Sequence, residues 1–214
     1  LIVDRPQMRE IVFGGHGLLG NDVTSPFDPA YDKSLPQRVQ DIPKAKSLLK
    51  AAGHENLKVT LITSPIQQGA VAAATVLAQQ AKAANVDVVL QTVPTSEFYG
   101  PNYLKWTFAQ DFYFYSPYML QATDAFLPTS PYNETHFDEA HYNSLYAKAQ
   151  AITTQSAVTP VVQEMMQIDY NQGGYIIPYF NPVIDSHSPK LQGVLPAQTG
   201  AALRNFEFKY FWFS

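Results

Sequence analysis

Hydrophobic positions recur at helical spacing in residues 41–53, where Ile42, Ala45, Leu48, Leu49 and Ala52 share one face. The boundary signals agree with this period. Asp41 can cap the N-terminus, Pro43 suits a first turn that does not need its N–H, and Gly53 can take the left-handed turn that ends a helix. In residues 57–63 the period changes to two: Leu57, Val59 and Leu61 alternate with Lys58 and Thr60, which predicts a strand with one buried face. Residues 66–85 return to helical spacing through Val71, Ala74, Leu77, Ala81 and Ala84, and residues 86–93 read as a second strand. Strand, helix and strand in this order predict a right-handed crossover between two parallel strands, and so an α/β fold.

The remaining segments are punctuated by proline and glycine. Residues 1–13 read as a helix end or an extended lead-in, and residues 14–40 as an irregular connector holding Pro26, Pro29 and Pro36. Residues 97–104 predict a short helix, and the aromatic-rich residues 108–115 a third strand. Two more helices are expected at 138–154, capped by Asp138, and at 160–171, opened by Thr159 and Pro160. Gly173 and Gly174 end the second, and residues 175–180 begin the final strands. There is no internal repeat. The expected organisation is a lead-in and connector (1–40), an α/β lobe (41–200) and an aromatic C-terminal strand (201–214), together making a single ligand-binding lobe.

Composition narrows the class. With 46% hydrophobic and 15% charged residues in 214, the chain can bury a substantial core. Fourteen basic side chains against eighteen acidic ones leave a formal charge of −4 and no basic block, which argues against nucleic acid as a partner. The absence of cysteine excludes disulfides and thiolate metal sites. The longest mainly apolar run, residues 68–79, is too short to cross a bilayer.

Several constellations resemble chemical sites at first sight. Gly15, Gly17 and Gly20 match a dinucleotide fingerprint, but a pyrophosphate needs a helix directly behind the loop, and a proline-broken coil follows here. The simpler reading is a tight turn, from which His16 and Asn21 could reach a ligand. His136, Asp138, Glu139 and His141 place two histidines five apart, whereas zinc-binding helices place them at four. A solvated helix start is favoured there. No nucleophile elbow is present, and Asp185, Ser186 and His187 form a set of a kind that any chain of this length contains.

The strongest candidate runs from Phe112 to Asp124. Aromatic side chains lead into a Ser116-Pro117 loop and so present flat, half-polar groups at a strand's C-terminal end, where open α/β sheets hold ligands. Tyr115, Ser116, Tyr118, Met119 and Gln121 are the expected ligand contacts, with His16 and Asn21 beside them. Asp124 reads as a local turn or cap, and Trp106 as core.

The linker Tyr31-Asp32, the helix Lys44-Ala45-Lys46 through Leu48-Leu49-Lys50 to Gly53, and the strand Val59-Thr60-Leu61 together resemble the solute-binding proteins of ABC importers that include the dipeptide- and oligopeptide-binding proteins. Val3-Asp4-Arg5 before Phe13-Gly14-Gly15 looks like that family's Asp-Arg helix end and Gly-rich turn. Residues 142–152 look like its late helix, Ile177-Pro178-Tyr179 like its Ile-Pro strand, and Leu191-Gln192-Gly193 like its Leu-x-Gly turn. The order of these motifs carries the resemblance. It implies the C-terminal lobe of a type II periplasmic-binding-protein-like fold, with a mixed sheet flanked by helices.

By the same resemblance, Leu1 is no natural beginning and the first lobe is expected upstream. The whole protein would capture a small solute between two lobes, outside the cytoplasm, and deliver it to an ABC permease with its ATPase; no catalysis and no cofactor are implied. In the peptide-binding members the cleft loop carries an acidic residue that pairs with the peptide's α-amino group. Here that position falls near Met119, and the nearest acid, Asp124, lies later. An unpaired buried ammonium costs on the order of several kcal/mol, so a ligand held by stacking and neutral hydrogen bonds, such as a sugar, an opine-like compound or a capped peptide, fits these residues better. Two other readings compete: a small α/β hydrolase-like domain using Ser186 and His187, and an interaction module docking through the aromatic residues 206–213. That segment is also expected to associate with itself or pack onto a neighbour.

Overall fold

In the computed structural model, which describes residues 1–198 and 200–214, the chain opens with helix α1 (Arg5–Phe13). Asp4 accepts a hydrogen bond from the Gln7 amide at 2.9 Å, so the Asp-Arg pair starts a helix and does not end one. Gly14, at φ +57°, closes α1 in the left-handed region. The two-residue strand β1 (Leu18–Leu19) follows, and then the connector.

Helix α2 (Ile42–Ala51) forms where the pattern placed it. Asp41 Oδ1 accepts from the Lys44 amide at 2.9 Å, and Gly53 sits at φ +75°. Its buried stripe is narrower than expected: Ala45 is buried with Ile42 and Leu49 against it, while Leu48 and Ala52 face solvent. Strand β2 (Lys58–Thr63), helix α3 (Ala70–Ala81) and strand β3 (Asp87–Thr92) make the expected unit, with β2 and β3 parallel from Lys58 opposite Asp87 to Thr63 opposite Thr92. Helix α3 starts later than the pattern suggested because residues 66–69 turn instead. Gly69 lies at φ +83°, and a Cβ there would come within 2.7 Å of Val12, so only glycine lets α3 approach α1.

The third strand does not form. Residues 108–110 make one bridge beside β2, with the Ile62 amide donating to Phe108 O and the Gln110 amide to Ile62 O, both at 3.0 Å. Strand β2 ends one residue later at Thr63, so the following residues have no edge to pair with. Their rings pack on one another instead, Phe112 against Phe114 at 5.4 Å. The expected helix at 97–104 shrinks to α4 (Thr95–Phe98), stopped by Gly100 and Pro101.

Helices α5 (Tyr118–Ala125), α6 (Ala140–Gln150) and α7 (Gln155–Gln172) build the largest core around Ala122, Leu145, Val162, Met165 and Met166. The cap of α6 is Glu139, which accepts from the Tyr142 amide at 2.5 Å; Asp138 accepts from the Asn143 side chain instead. Pro160 lies inside α7 and does not open it. The proline removes one backbone bond, but Val158 before it and Val161, Val162, Met165 and Met166 after it all pack in the same core. Gly173 ends α7 in an extended conformation, φ −61° and ψ 149°.

Beyond α7 the strands are brief. β4 (Tyr179–Phe180) pairs antiparallel with β1, and β5 (Leu191–Gln192) pairs with β6 (Trp212–Phe213) after the short helix α8 (Ala202–Phe206). Among the described residues the fold is therefore α/β, with parallel and antiparallel pairing spread over three two-stranded sheets. The aromatic C-terminal segment is a strand only at Trp212 and Phe213, and Phe206, Phe208, Trp212 and Phe213 all expose their rings. Among the described residues no helix is long and apolar enough to cross a membrane.

The connector is irregular yet tightly held. Arg5, 1% exposed, sets one guanidinium nitrogen 2.6 and 2.8 Å from the two carboxylate oxygens of Asp22. Arg38 Nε lies 2.7 Å from Asp22 Oδ2, and the Ile177 amide donates to Oδ1 at 2.9 Å. Replacing Asp22 with Asn keeps a residue that tolerates the φ of +62° at this position but leaves Arg5 unpaired. Asp22→Asn should destabilise the protein by about 3–5 kcal/mol, read as a lowered denaturant midpoint with an unchanged slope.

Asp169, on α7, is buried in the helical core, where the Tyr118 hydroxyl donates to it and Tyr142 stands 3.1 Å from Tyr118. Burial pushes its carboxyl from 3.8 up to about 7, with the Tyr118 hydrogen bond offsetting part of that rise. The folded chain then keeps a proton that the unfolded chain gives up. The stabilisation from this group is complete below about pH 4 and is lost as pH rises through about 7. Asp169→Asn should flatten that part of the stability profile in chemical denaturation measured from pH 4 to 8.

Candidate functional site

A cavity of about 1000 Å³ opens beside the bridged edge of β2. It is lined by the segment from Tyr103 to Ser116, by the residues from Gly174 to Val183 that follow α7, and by Gly17, Leu18 and Ser25. The segment is held in place by the connector. Ser25 Oγ donates to Ser116 O at 2.7 Å, and Asp28 Oδ2 accepts from the Tyr118 amide at 2.8 Å, which caps α5 from a distant part of the chain. Phe27 meets the Tyr115 ring edge-on at 6.0 Å.

Three of the seven expected contacts line this cavity: Tyr115, Ser116 and Gln121. Tyr118 does not. It is fully buried, its hydroxyl engaged by Asp169 and Tyr142, because Pro117 begins α5 and turns the first helical side chain into the core. Met119 packs against the same helical core, outside the cavity lining. Asn21 is buried too, bonded through Nδ2 to Pro36 O at 3.1 Å and through Oδ1 to the Arg38 amide at 2.7 Å, so its side chain holds the connector. His16 is exposed on the turn before β1 and is not among the lining residues, although Gly17 and Leu18 are.

Two lining residues carried no sequence signal. Asp111 accepts from the Tyr99 hydroxyl at 2.8 Å, and the Tyr103 hydroxyl lies 3.1 Å from Asp111 Oδ2 and 3.4 Å from Glu134 Oε1. The Tyr113 hydroxyl is 3.1 Å from Glu134 Oε1. Burial, and after it the neighbouring Asp111, push the Glu134 carboxyl up to about 8, so it keeps its proton at neutral pH. Burial raises Tyr99, Tyr103 and Tyr113 as well, and these rings stay neutral. An acid in 108–115 and another in the loop before α6 look like solvated loop charges until the fold brings them together.

Trp106, expected as core, stacks on Phe98 and donates through Nε1 to Phe98 O at 3.2 Å, but it also lines the cavity. Asp124 lies within α5 and is not an N-terminal cap. Among the described residues, no hydrogen bond joins Asp185, Ser186 and His187: Asp185 accepts from the Leu203 amide and His187 Nδ1 lies against Ser188 O. His141 pairs with Glu164 at 2.8 Å. Among the described residues no group of three potential ligands gathers to hold a metal ion. The Gly15-His16-Gly17 turn leads into β1, with no helix behind it.

Solved structures share this architecture. The chain superposes on the AppA protein of Clostridium difficile with a TM-score of 0.84 at 17% identity, covering 100% of this chain and 46% of that one. The oligopeptide-binding protein AppA of Bacillus subtilis, solved with a nonapeptide, gives 0.73 at 18% identity with coverage of 100% and 46%. The ABC transporter-associated periplasmic binding protein DppA of Helicobacter pylori, solved with the peptide STSA, gives 0.76 at 17% identity with coverage of 99% and 42%. The chain thus spans less than half the length of each. No curated protein sequence matches it. Residues 1–116 match the model of the middle part of the bacterial extracellular solute-binding proteins, family 5. With more than half of its residues matched, and its fold shared along nearly all of its length, the chain belongs to the family 5 extracellular solute-binding proteins.

Proposed function

We propose that this chain is one lobe of the solute-binding component of an ABC importer, and that the cavity beside β2 is its half of the solute site. The observation that carries this reading is the cavity itself. About 1000 Å³ of space is walled by aromatic and polar side chains on a family 5 fold, room for a solute of peptide or oligosaccharide size. The peptides named with the Helicobacter and Bacillus relatives support a peptide-like solute. The counterpart lobe is encoded upstream, the intact protein works outside the cytoplasm, and it hands its solute to a membrane permease powered by a separate ATPase.

Capture is a population shift. A solute touching both lobes favours the closed state by the difference between its contacts in the closed and open forms. On this lobe Tyr115 lines the cavity with an aromatic ring, and Ser116 and Gln121 line it as polar residues. Calorimetric titration of the full-length protein with peptides of two to nine residues, capped peptides, sugars and opines should give saturable binding for at least one class. Tyr115→Ala should weaken that binding by roughly 2- to 10-fold, the loss of one stacked ring. Absence of binding across all classes would count against solute capture.

A further inference from the structure

We propose that protonated Asp169, acting through Tyr118, seats the part of the cavity wall between Ser116 and Gln121, so that solute capture takes up a proton and weakens as that proton leaves. This rests on the solute-binding reading and adds a regulation to it.

Asp169 lies buried on α7, and the two hydroxyls gathered at it belong to fully buried residues, Tyr118 from α5 and Tyr142 from α6. The Tyr118 hydroxyl donates to the carboxyl, and the Tyr142 hydroxyl stands 3.1 Å behind it. Among the described residues no ion pair reaches Asp169. On α5 the acid Asp124 lies nearly two turns beyond Tyr118. On α6, Tyr146 neighbours Tyr142, Glu139 accepts from the Tyr142 amide, and His141 pairs with Glu164 of α7. The connector brings two acids, Asp28 at the Tyr118 amide and Asp32 at the Gln167 side chain. Its Arg38 is taken by Asp22 and Tyr170 O, and its Lys33 is exposed. A carboxylate at this place has a hydroxyl donor and no counter-charge. Ionising it is costly, and the cost is relieved by water entering between α5 and α7.

What moves with Tyr118 is the wall. Tyr118 is the first residue of α5 and follows Ser116 and Pro117 directly. Ser116 Oγ donates to Gln121 Oε1 at 3.1 Å, and Phe126, at the other end of α5, meets the Tyr118 ring edge-on at 6.4 Å. Ser116, Gln121 and Phe126 all line the cavity, and Tyr118 ties them to the buried acid. Water admitted at Tyr118 therefore loosens the wall where a solute would touch it. The sign of the coupling follows. The seated wall belongs to the protonated form and is lost as pH rises through about 7, where burial holds this carboxyl. A solute that favours the seated wall raises the proton's affinity by the same factor that the proton raises the solute's.

Amide hydrogen exchange of the full-length protein, corrected for the intrinsic pH dependence of exchange, tests the wall without any solute. From pH 6 to pH 8 the protection of residues 115–121 should fall about three- to tenfold while that of β2 holds. Asp169→Asn keeps an acceptor for Tyr118 and cannot ionise, so it should remove the fall. Tyr118→Phe deletes the donor that eases ionisation and should move the fall to higher pH. Calorimetry with the peptide STSA, the one solved with the Helicobacter relative, reads the coupling. Over the same range its affinity should drop about three- to tenfold more in the unmodified protein than in Asp169→Asn, against which the peptide's own amine titrates identically. Titrations at pH 7 in buffers of different ionisation enthalpy should show an extra uptake of up to about half a proton per peptide in the unmodified protein. Both differences should persist in a Glu134→Gln background, which removes the cavity acid held at about 8. A fall in protection shared equally by β2, one that survives in Asp169→Asn, or no fall at all overturns the proposal whatever the peptide does. Peptide binding with one pH profile in both proteins also overturns it and leaves solute capture standing. If the peptide does not bind, the exchange result alone decides.

Discussion

One carboxylate holds the lobe's parts in register. Asp22 receives Arg5 from α1, Arg38 from the end of the connector and the Ile177 amide from the segment after α7. Burying three charges is expensive, and such a cluster adds little net stability over an apolar equivalent. Its value lies in uniqueness of geometry: an apolar cluster could slide, whereas two guanidinium groups and an amide fit one carboxylate in one way. Arg38 is itself fixed, lying 4.0 Å over the Tyr170 ring with a bond to Tyr170 O. The connector between these anchors supplies Ser25 and Asp28, which set the Ser116-Pro117 loop. The cavity wall is thus aligned by a charge cluster that does not belong to it.

Local signals were legible where they were self-sufficient. The caps of α2 and the Ala-rich face of α3 are local signals, and β2 finds its edge in the β3 that follows through the same crossover; all three formed. Where an element depends on tertiary pairing, pattern misled. Residues 108–115 have every propensity of a strand, yet a strand needs a neighbouring edge, and β2 offers only enough for one bridge. Pro160 looked like a helix start because a proline in the first turn costs nothing; here it sits deep in α7, since apolar residues on both sides of it are claimed by one core. Asp138 read as the cap of α6, but the Tyr142 amide goes to Glu139 and Asp138 bonds the Asn143 side chain.

The site divides along the same line. Tyr115, Ser116 and Gln121, which follow an aromatic run into a proline loop, do line the cavity. Tyr118 and Asn21 were drawn from the same neighbourhoods and have structural duties instead, one in the helical core and one in the connector. Asp111 and Glu134 were invisible for the opposite reason. Neither has a motif around it, and what makes them notable is their convergence within a ring of tyrosines. Convergence of that kind is a property of the folded chain and leaves no periodic trace.

Trp106 gives this lobe a built-in optical probe. The chain has two tryptophans, one stacked on Phe98 in the cavity wall and the other, Trp212, 58% exposed at the far C-terminal pairing. Their emission should separate by polarity, the sheltered indole to the blue of the solvated one. With Trp212 replaced by phenylalanine, the remaining fluorescence would come from the cavity wall alone, and its quenching or colour would follow occupancy without any attached dye.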